Sequence, residues 1–324
     1  QGLTMADTVL EIAAAGPLIS IQDGGRAGFM RFGVPASGAM DKKALVIANR
    51  ALGRDSAAPV IEISRGGLVL ECLSGAVTLA LVGGGFLADI DGKPLGSWQI
   101  FTLSEAKRLT ITVGPWGSWT YLAFAGTLDA ALWLQSHSTH SQSGFGGGKL
   151  NKGNALIVRD AEIRPDLEGA IPCPVWARPR HLLHITYGPQ DRFFPPNALK
   201  NIIESPFALT DSYDRMGVRL SGPSLRPEGS LSIPSEAVLR GSIQVSGDGI
   251  PAILLSDHQT TGGYPKIATV LSDDIDGFVQ CRPRDKVHFQ PISPERAVMM
   301  ARQRQRVFDA YLATLDRRRD TSVG

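Results

Sequence analysis

The stretch "SIQVSGDGIPAILL", residues 242–255, is two strand-like runs separated by Gly, Asp and Pro. The same pattern recurs along the chain. "AVTLAL" places Val77, Leu79 and Leu81 on one face, and "RLTITV" does so with Leu109, Ile111 and Val113. "WTYLAFAG", "HLLHITYG" and "KVHFQPI" read alike. Period-two runs punctuated by Gly, Pro and Asp predict a mainly β protein of barrels or sandwiches. A parallel α/β fold would need helices between the strands, and few helical patterns occur.

Two helices are predicted. "SGAMDKKALVIANRALG" offers Ser37 as a cap, Leu45, Ala48 and Leu52 at helical spacing, and Gly53 as a stop. "SPERAVMMARQRQRVFDAYLATL" begins with Ser293 at the cap, Pro294 at the first position and Glu295 in the first turn. Its apolar stripe is Val298, Ala301, Phe308, Leu312 and Leu315, and the tail after Leu315 is expected to fray. The segment 164–180, with four prolines, is the expected boundary. The predicted division is a β-rich subdomain over 5–170, a second over 180–292, and a C-terminal helix over 293–316.

The 324 residues suit about two domains. Hydrophobic residues at 43% and charged residues at 20% fit an ordinary globular protein with a large core. Lys and Arg total 33 against 31 Asp and Glu, too balanced for a general nucleic-acid binder. Three scattered cysteines, Cys72, Cys173 and Cys281, fit neither a disulfide framework nor a zinc spacing and point to a reducing cytosol. No apolar run approaches a membrane span, and no signal-peptide pattern opens the chain. Gln1–Thr4 are read as an addition ahead of a native Met5 and are left out of the fold reading.

Several motifs bear on chemistry. "SGFGGGKLNKG" is not a Walker loop: Ser143 replaces the first Gly and Leu150 the hydroxyl residue that binds magnesium. It is expected to be a flexible loop whose backbone N–H groups approach a ligand. "LVGGGF", with Gly83 to Gly85, is either similar or a tight turn. His137 and His140, and His181 and His184, share an H-x-x-H spacing. On a strand an odd separation sends His181 and His184 to opposite faces, so that pair cannot chelate together; His137 and His140 could, but no carboxylate or cysteine stands nearby in sequence, and metal binding is the minority reading for both pairs. No G-x-S-x-G elbow occurs. Asp23 and Arg26 follow a strand-like run among glycines, as a turn ion pair or as site residues. Arg215, beside Asp214, could grip a carboxylate or phosphate, or form a surface pair. "SDHQTTGGYPKIATV", 256–270, gathers Asp257, His258, Gln259, Thr260, Thr261 and Lys266 around Gly262-Gly263. That is more polar chemistry than a plain hairpin needs. Lys266 is expected to be an exposed cation beside a stiff turn. The 23–26, 214–215 and 257–266 segments are expected to line one cleft.

In order along the chain, "SIQDGGRAGFMRFGVPASGAMDKKALVIANRALG", "VIEISRGG", "YLAFAG", "GFGGGKLNKG", "YGPQ", "YDRMGVRL", "PSEAVLRGSIQV" and "SDHQTTGGYPKIATV" closely resemble one family. This is the biotin-dependent carboxyltransferase family, often labelled allophanate hydrolase subunit 2. It includes the C subunit of prokaryotic ATP-dependent 5-oxoprolinase, the KipA regulator, and part of urea carboxylase. The resemblance runs from about Val9 to Pro291. It implies a mainly β fold of two barrel-like subdomains related to the cyclophilin-like fold, with few helices and a C-terminal helix. It implies a cytoplasmic hetero-oligomer with a KipI-like B subunit and a 5-oxoprolinase A subunit. That complex would use ATP, at a site the resemblance does not assign, to open 5-oxo-L-proline to L-glutamate. Biotin is not expected on this chain. The alternatives are carboxyl transfer of the urea carboxylase type, or a non-catalytic regulator binding a KipI-like protein.

The family's polar positions fall on Asp23, Arg26, Asp41, Asn49, Asp214, Arg215, Gln259, Thr260, Thr261 and Lys266. Lys266, Arg215 and Asp23 stand as catalytic candidates. Arg26, Asp214, Asp257, Gln259, Thr260 and Thr261 stand as substrate-binding candidates. Where relatives read like "GSRSTD", this chain has "QSHSTH", with His137 and His140 in place of Arg and Asp.

Overall fold

The computed structural model describes residues 6–228 and 233–322, so Gln1–Met5, together with Val323 and Gly324 of the tail expected to fray, lie outside the described residues. The chain divides into two units. The first comprises 1–26, 37–178 and 308–324, and the second 27–36 and 179–307.

The first unit is built on two sheets. One has seven strands in the spatial order Thr127–Leu128, Ala155–Ala161, Ala6–Ala15, Leu68–Ser74, Arg108–Thr112, Leu87–Ile90 and Lys93–Gly96. The other has six: Gly169–Ala170, Gln99–Ser104, Ala76–Val82, Trp119–Phe124, Val60–Ser64 and Ser20–Gln22. Both feed one core, with Leu10, Ile12, Leu70, Leu109 and Ile111 from the first and Ile61, Ile63, Val77, Leu79, Leu81, Leu122 and Phe124 from the second. The alternation of "AVTLAL" and "RLTIT" therefore reports a real inward face. Val113 falls beyond its strand and is exposed.

Helix α1 (Lys42–Ala51) packs on the six-stranded sheet, against Ala76–Val82 and Trp119–Phe124. Its cap is Asp41, whose carboxylate accepts from the Ala44 N–H at 3.0 Å, and not Ser37 as expected. Gly53 follows the helix with φ +72°, the left-handed stop that glycine tolerates. Burying the sheet on both faces buries Glu62 as well. Its Oε2 accepts from the Met40 N–H at 2.7 Å and from the Tyr121 hydroxyl at 2.8 Å. The Asp41 N–H in turn donates to that hydroxyl oxygen at 2.7 Å.

The second unit is a closed barrel of seven strands. Their order is Leu182–Tyr187, Lys266–Val270, Ser242–Val245, Pro251–Leu254, Gly217–Ser221, Phe207–Tyr213 and Lys286–Pro291. The last pairs in parallel with the first and closes the ring. Leu183, Ile185, Phe207, Leu209, Val218, Leu220, Ile243, Ile253, Ala268, Val287 and Phe289 are its buried apolar residues. A closed barrel has no unpaired edge strand, and the interior of this one is filled by these side chains.

Two short helices escaped the sequence reading: α2 (Pro196–Glu204) and α3 (Ser272–Phe278). Each is too short for a sustained 3.6-residue period. Helix α4 (Pro294–Ser322) starts as predicted, with the Arg296 N–H donating to Ser293 Oγ at 3.3 Å. It runs on through the segment expected to fray. Its buried residues include Ala297, Phe308 and Leu315, whereas Val298 is half exposed. No helix of the described residues is long and apolar enough to cross a membrane.

Burial and the neighbouring Glu62 and Asp41 carboxylates push the Tyr121 phenol well above its ordinary value. A phenol whose folded pKa is raised contributes stability that is complete below its unfolded value of about 10 and is lost as pH rises towards the folded one. Tyr121→Phe should therefore flatten the alkaline limb of the stability–pH curve relative to the parent protein. Denaturant midpoints across that limb check this, and parallel limbs for the two proteins count against it.

Candidate functional site

In the first unit, Asp23 is a buried anchor. Its Oδ1 accepts from the Gly25 N–H at 2.8 Å, Ser136 Oγ at 2.7 Å and Ser138 Oγ at 2.5 Å. Its Oδ2 accepts from the His137 N–H at 2.6 Å. Arg26, also buried, donates to the Trp133 carbonyl at 3.1 Å and the Ser138 carbonyl at 2.7 Å, and its guanidinium lies 4.4 Å from the Trp133 ring centroid. Together they bind the "QSHSTH" segment to the strand end. His137 Nδ1 lies 3.0 Å from the Ala130 carbonyl and His140 Nδ1 2.8 Å from Ser143 Oγ, so these two rings have separate partners. Asn49 donates to the Ala58 carbonyl at 2.9 Å and holds the chain after α1.

The glycine-rich loop is not a phosphate cradle. The Gly147 N–H donates to the His137 carbonyl at 2.7 Å and the Gly148 N–H to Thr139 Oγ1 at 2.9 Å. A Cβ at Gly146, where φ is +101°, would collide with the Ser138 carbonyl. These glycines permit close packing on 136–139, which corrects the expectation that their N–H groups face a ligand. Gly85 plays the same part against Trp116, where an added Cβ would strike the indole. The loop does not fit a nucleotide, and no step is assigned to ATP on it.

In the second unit a groove of about 640 Å³ lies on the barrel wall. Its floor comes from Gly217, Arg219, Ala252, Leu254 and Gln244 on three adjacent strands, with Ser246 just past the end of one of them. Ile243 and Ile253, which alternate with these positions, are buried in the core, so strand alternation assigns the floor to the outer face. Asp211, Tyr213 and Asp214 flank one side, and His258, Gln259 and Tyr264 the other.

Arg215 and Asp257 lie beneath these flanks as a bidentate pair, Nε to Oδ2 at 3.0 Å and a terminal nitrogen to Oδ1 at 2.9 Å. Their side chains are 1% and 0% exposed. The Asp257 N–H also donates to the Arg215 carbonyl at 2.8 Å. The pair joins the two loops that carry the groove's polar groups. Asp214, exposed, accepts from the Met216 N–H at 2.8 Å and shapes its own turn. Buried His258 sets Nδ1 2.6 Å from the Gln259 carbonyl, so that nitrogen carries a proton and donates.

Lys266 pairs in register with Gln244. It is 1% exposed, which corrects the expectation of a solvated lysine beside a turn. Its Nζ is 3.7 Å from Glu236 Oε2 and makes no hydrogen bond among the described residues, and Gln244 Nε2 is likewise buried without one among them. Gln190 fastens this corner: its Oε1 accepts from the Lys266 N–H at 2.9 Å and its Nε2 donates to Glu236. Thr260 and Thr261 are not among the groove-lining residues. Thr261–Gly262 pairs with Glu236–Ala237 in a two-stranded sheet beside Lys266, and the Thr260 carbonyl accepts from the Val238 N–H at 3.2 Å. A Cβ at Gly262 would strike Gln244 Nε2 and crowd Gln259 Nε2, so the bare glycine lets two side-chain amides converge.

Of the predicted residues, the second unit thus gathers Asp214, Arg215, Asp257, Gln259 and Lys266 around one wall, and Asp23 and Arg26 organise the first unit. Gln244, Tyr213, Tyr264, Gln190 and Glu236 were missed. Gln244 has a signal, a polar side chain alternating with Ile243 and Val245, whereas Glu236 has none.

Removing one member of a buried ion pair leaves the other charge stranded, at a cost of about 3–5 kcal/mol. Asp257→Asn should lower the urea midpoint of the isolated chain accordingly. The double variant Arg215→Met with Asp257→Leu should recover much of that loss. Equal damage from single and double variants would contradict this account of the pair.

The carboxyltransferase domain pattern, subdomain A and B, matches residues 32–291. The C subunit of 5-oxoprolinase from Escherichia coli (strain K12) is 33% identical over 304 residues, covering 93% of this chain and 97% of that protein. The crystal structure of TTHA0988 is similar with a TM-score of 0.77 and 31% identity over 87% of this chain, which spans 55% of that one. The Kluyveromyces lactis urea amidolyase structure is similar with a TM-score of 0.80 and 25% identity over 94% of this chain, which spans 20% of that one. With a matched span that takes in the whole barrel wall just described, the chain belongs to the carboxyltransferase domain family, subdomain A and B.

Proposed function

We propose that this chain is the C subunit of an ATP-dependent 5-oxoprolinase, acting with A and B subunits to open 5-oxo-L-proline to L-glutamate. The observation that carries the reading is the near end-to-end match to the C subunit of the Escherichia coli 5-oxoprolinase, at 93% of one chain and 97% of the other. By contrast the chain spans 20% of the urea amidolyase structure.

The barrel wall supports this reading chemically. The substrate is a five-membered lactam bearing a carboxylate. Its amide is held cis, so its C=O and N–H lie side by side. Gln244 and Gln259, whose Nε2 atoms converge over Gly262, bring two side-chain amides to one place on this wall. Gln244 Nε2 has a donor to give. Lys266 supplies positive charge behind Gln244, and half-exposed Glu236 is the counter-ion a substrate carboxylate would displace. His258 stands at the rim, its Nδ1 held at the Gln259 carbonyl. Buried donors of this kind interact strongly with charge that develops on a carbonyl oxygen. ATP is assigned to the assembled complex and not to the glycine-rich loop of this chain.

Carboxyl transfer is the second reading, favoured by the family match over 32–291. Reconstitution separates the two. The chain mixed with A and B subunits should show ATP hydrolysis that depends on 5-oxoproline, and the purified chain alone should show none. Turnover only with a biotinylated partner would favour carboxyl transfer, and binding to a KipI-like protein without turnover would favour regulation.

Lys266→Met keeps the side chain's apolar stem and removes its charge. Its partner Glu236 is half exposed, so the substitution strands no buried charge, unlike removal of one member of a fully buried pair. The variant should therefore melt at or above the parent temperature and still assemble. Its turnover in the complex should fall at least ~100-fold, the effect of losing about 2.7 kcal/mol of transition-state stabilisation. Gly262→Ala should lower turnover by driving the two glutamine amides apart, with little change in stability. Normal turnover in both variants would remove this wall from the reaction.

A further inference from the structure

Where the barrel closes, three metal-ligating side chains converge. Among the described residues, His181, Cys281 and Asp285 each bring one ligand atom within 4.8 Å of the others. They come from different places. His181 immediately precedes the strand Leu182–Tyr187, Asp285 immediately precedes Lys286–Pro291, and Cys281 lies in the turn after α3. The two strands pair in parallel, Leu182 opposite His288, and close the ring.

The geometry points to a binding site for one divalent transition-metal ion of the zinc class, held by His181 Nε2, Cys281 Sγ and an Asp285 carboxylate oxygen. The imidazole is held in place, with Nδ1 3.0 Å from the Lys286 carbonyl, which leaves Nε2 as the nitrogen able to ligate. A carbonyl at one ring nitrogen fixes the proton there and turns the other lone pair outward, the arrangement that metal-binding histidines use. Asp285 is held too, its Oδ2 accepting from the Arg282 N–H at 2.8 Å. Cys281 is buried and outside any disulfide, with its sulfur 3.4 Å from the Arg180 carbonyl. The neighbouring Arg180 guanidinium is directed at Asp274, 2.7 Å away, and not at the three ligands. His181 is exposed and gives an ion a route in. Thiolate, imidazole and carboxylate together suit zinc, with a water completing a four-coordinate shell.

Binding breaks the S–H bond, forms a metal–sulfur bond and releases one proton to solvent. Neither metal nor sulfur changes oxidation state. The ion would pin the starts of both closing strands, the place where the barrel depends on a parallel pair.

The test uses the full chain, stripped with a chelator and titrated with Co²⁺ as chromophore and Zn²⁺ as competitor. One equivalent of Co²⁺ should give a thiolate-to-metal charge-transfer band, Zn²⁺ should abolish it, and Zn²⁺ should raise the melting temperature. Cys281→Ser should lose the band. Because that residue is buried, exposed His181→Gln is the control that keeps the fold, and it should weaken binding by more than the ~10-fold that loss of an outer-shell partner costs. No band in the folded parent protein overturns the site. So does a band that survives both substitutions, since it would then arise at Cys72 or Cys173.

Discussion

The Arg215–Asp257 ion pair sits under the barrel wall with almost no exposure to solvent. Two charges taken from water are costly to bury, and only good geometry with further hydrogen bonds offsets that cost. Here two parallel hydrogen bonds and a backbone link between the same residues meet that condition. The consequence is positional. Asp214 is next to Arg215, and His258 is next to Asp257, so one buried pair sets the separation of both flanks of the groove. A neutral apolar contact could pack as tightly but would not fix orientation in the same way, because the guanidinium fork accepts a carboxylate only in its own plane.

The first unit uses carboxylates in the same manner. Asp23 collects four hydrogen bonds from the 25 and 136–138 backbone and hydroxyls, and Glu62 collects donors from Met40 and Tyr121. A carboxylate this fully engaged has little capacity left for a substrate. It serves to hold irregular chain against a sheet where no ladder bond can. That also explains how the "QSHSTH" departure is tolerated. Asp23 grips the segment through the Ser136 and Ser138 hydroxyls and the His137 backbone, so the His137 side chain is not part of the grip.

Strand alternation made the fold legible, since Val77, Leu79, Leu81, Leu109 and Ile111 all reach the core that their spacing predicted. The capping signal at Ser293-Pro294 marked the start of α4 because a cap is local chemistry. Asp41 was overlooked as a cap because Ser37, four residues before it, carries an equally good side chain, and only the packing of Met40 and Asp41 onto Glu62 and Tyr121 decides between them. The short helices α2 and α3 lacked the length for a period. At the site, polar density singled out 256–270, but density does not distinguish a charge that is paired from one that is not. Lys266 read as solvated because Pro265 and Gly263 suggest a turn, whereas the partner strand Ser242–Val245 and Gln190 cover it. His181, Cys281 and Asp285 are up to 104 residues apart in sequence by their numbers, and only barrel closure brings them together.

Hydrogen-bond satisfaction divides these polar residues more usefully than residue type does. Asp23, Asp257 and Asp274 have acceptors filled by named donors, and their substitution should read out mainly as lost stability. Lys266 Nζ and Gln244 Nε2 are buried donors with no hydrogen-bond acceptor among the described residues. Such groups raise the energy of the unliganded state, because each has given up water without full replacement. A ligand that supplies the acceptors recovers that energy at the moment of binding. Two unfilled donors on adjacent strands, one charged and one neutral, match a ligand with a carboxylate and a carbonyl close together. That pairing discriminates: a small neutral amide could fill Gln244 but would leave the Lys266 charge with no counterpart beyond Glu236 at 3.7 Å. On the proposed reading, an anionic lactam would fill both donors, whereas a neutral urea would fill one.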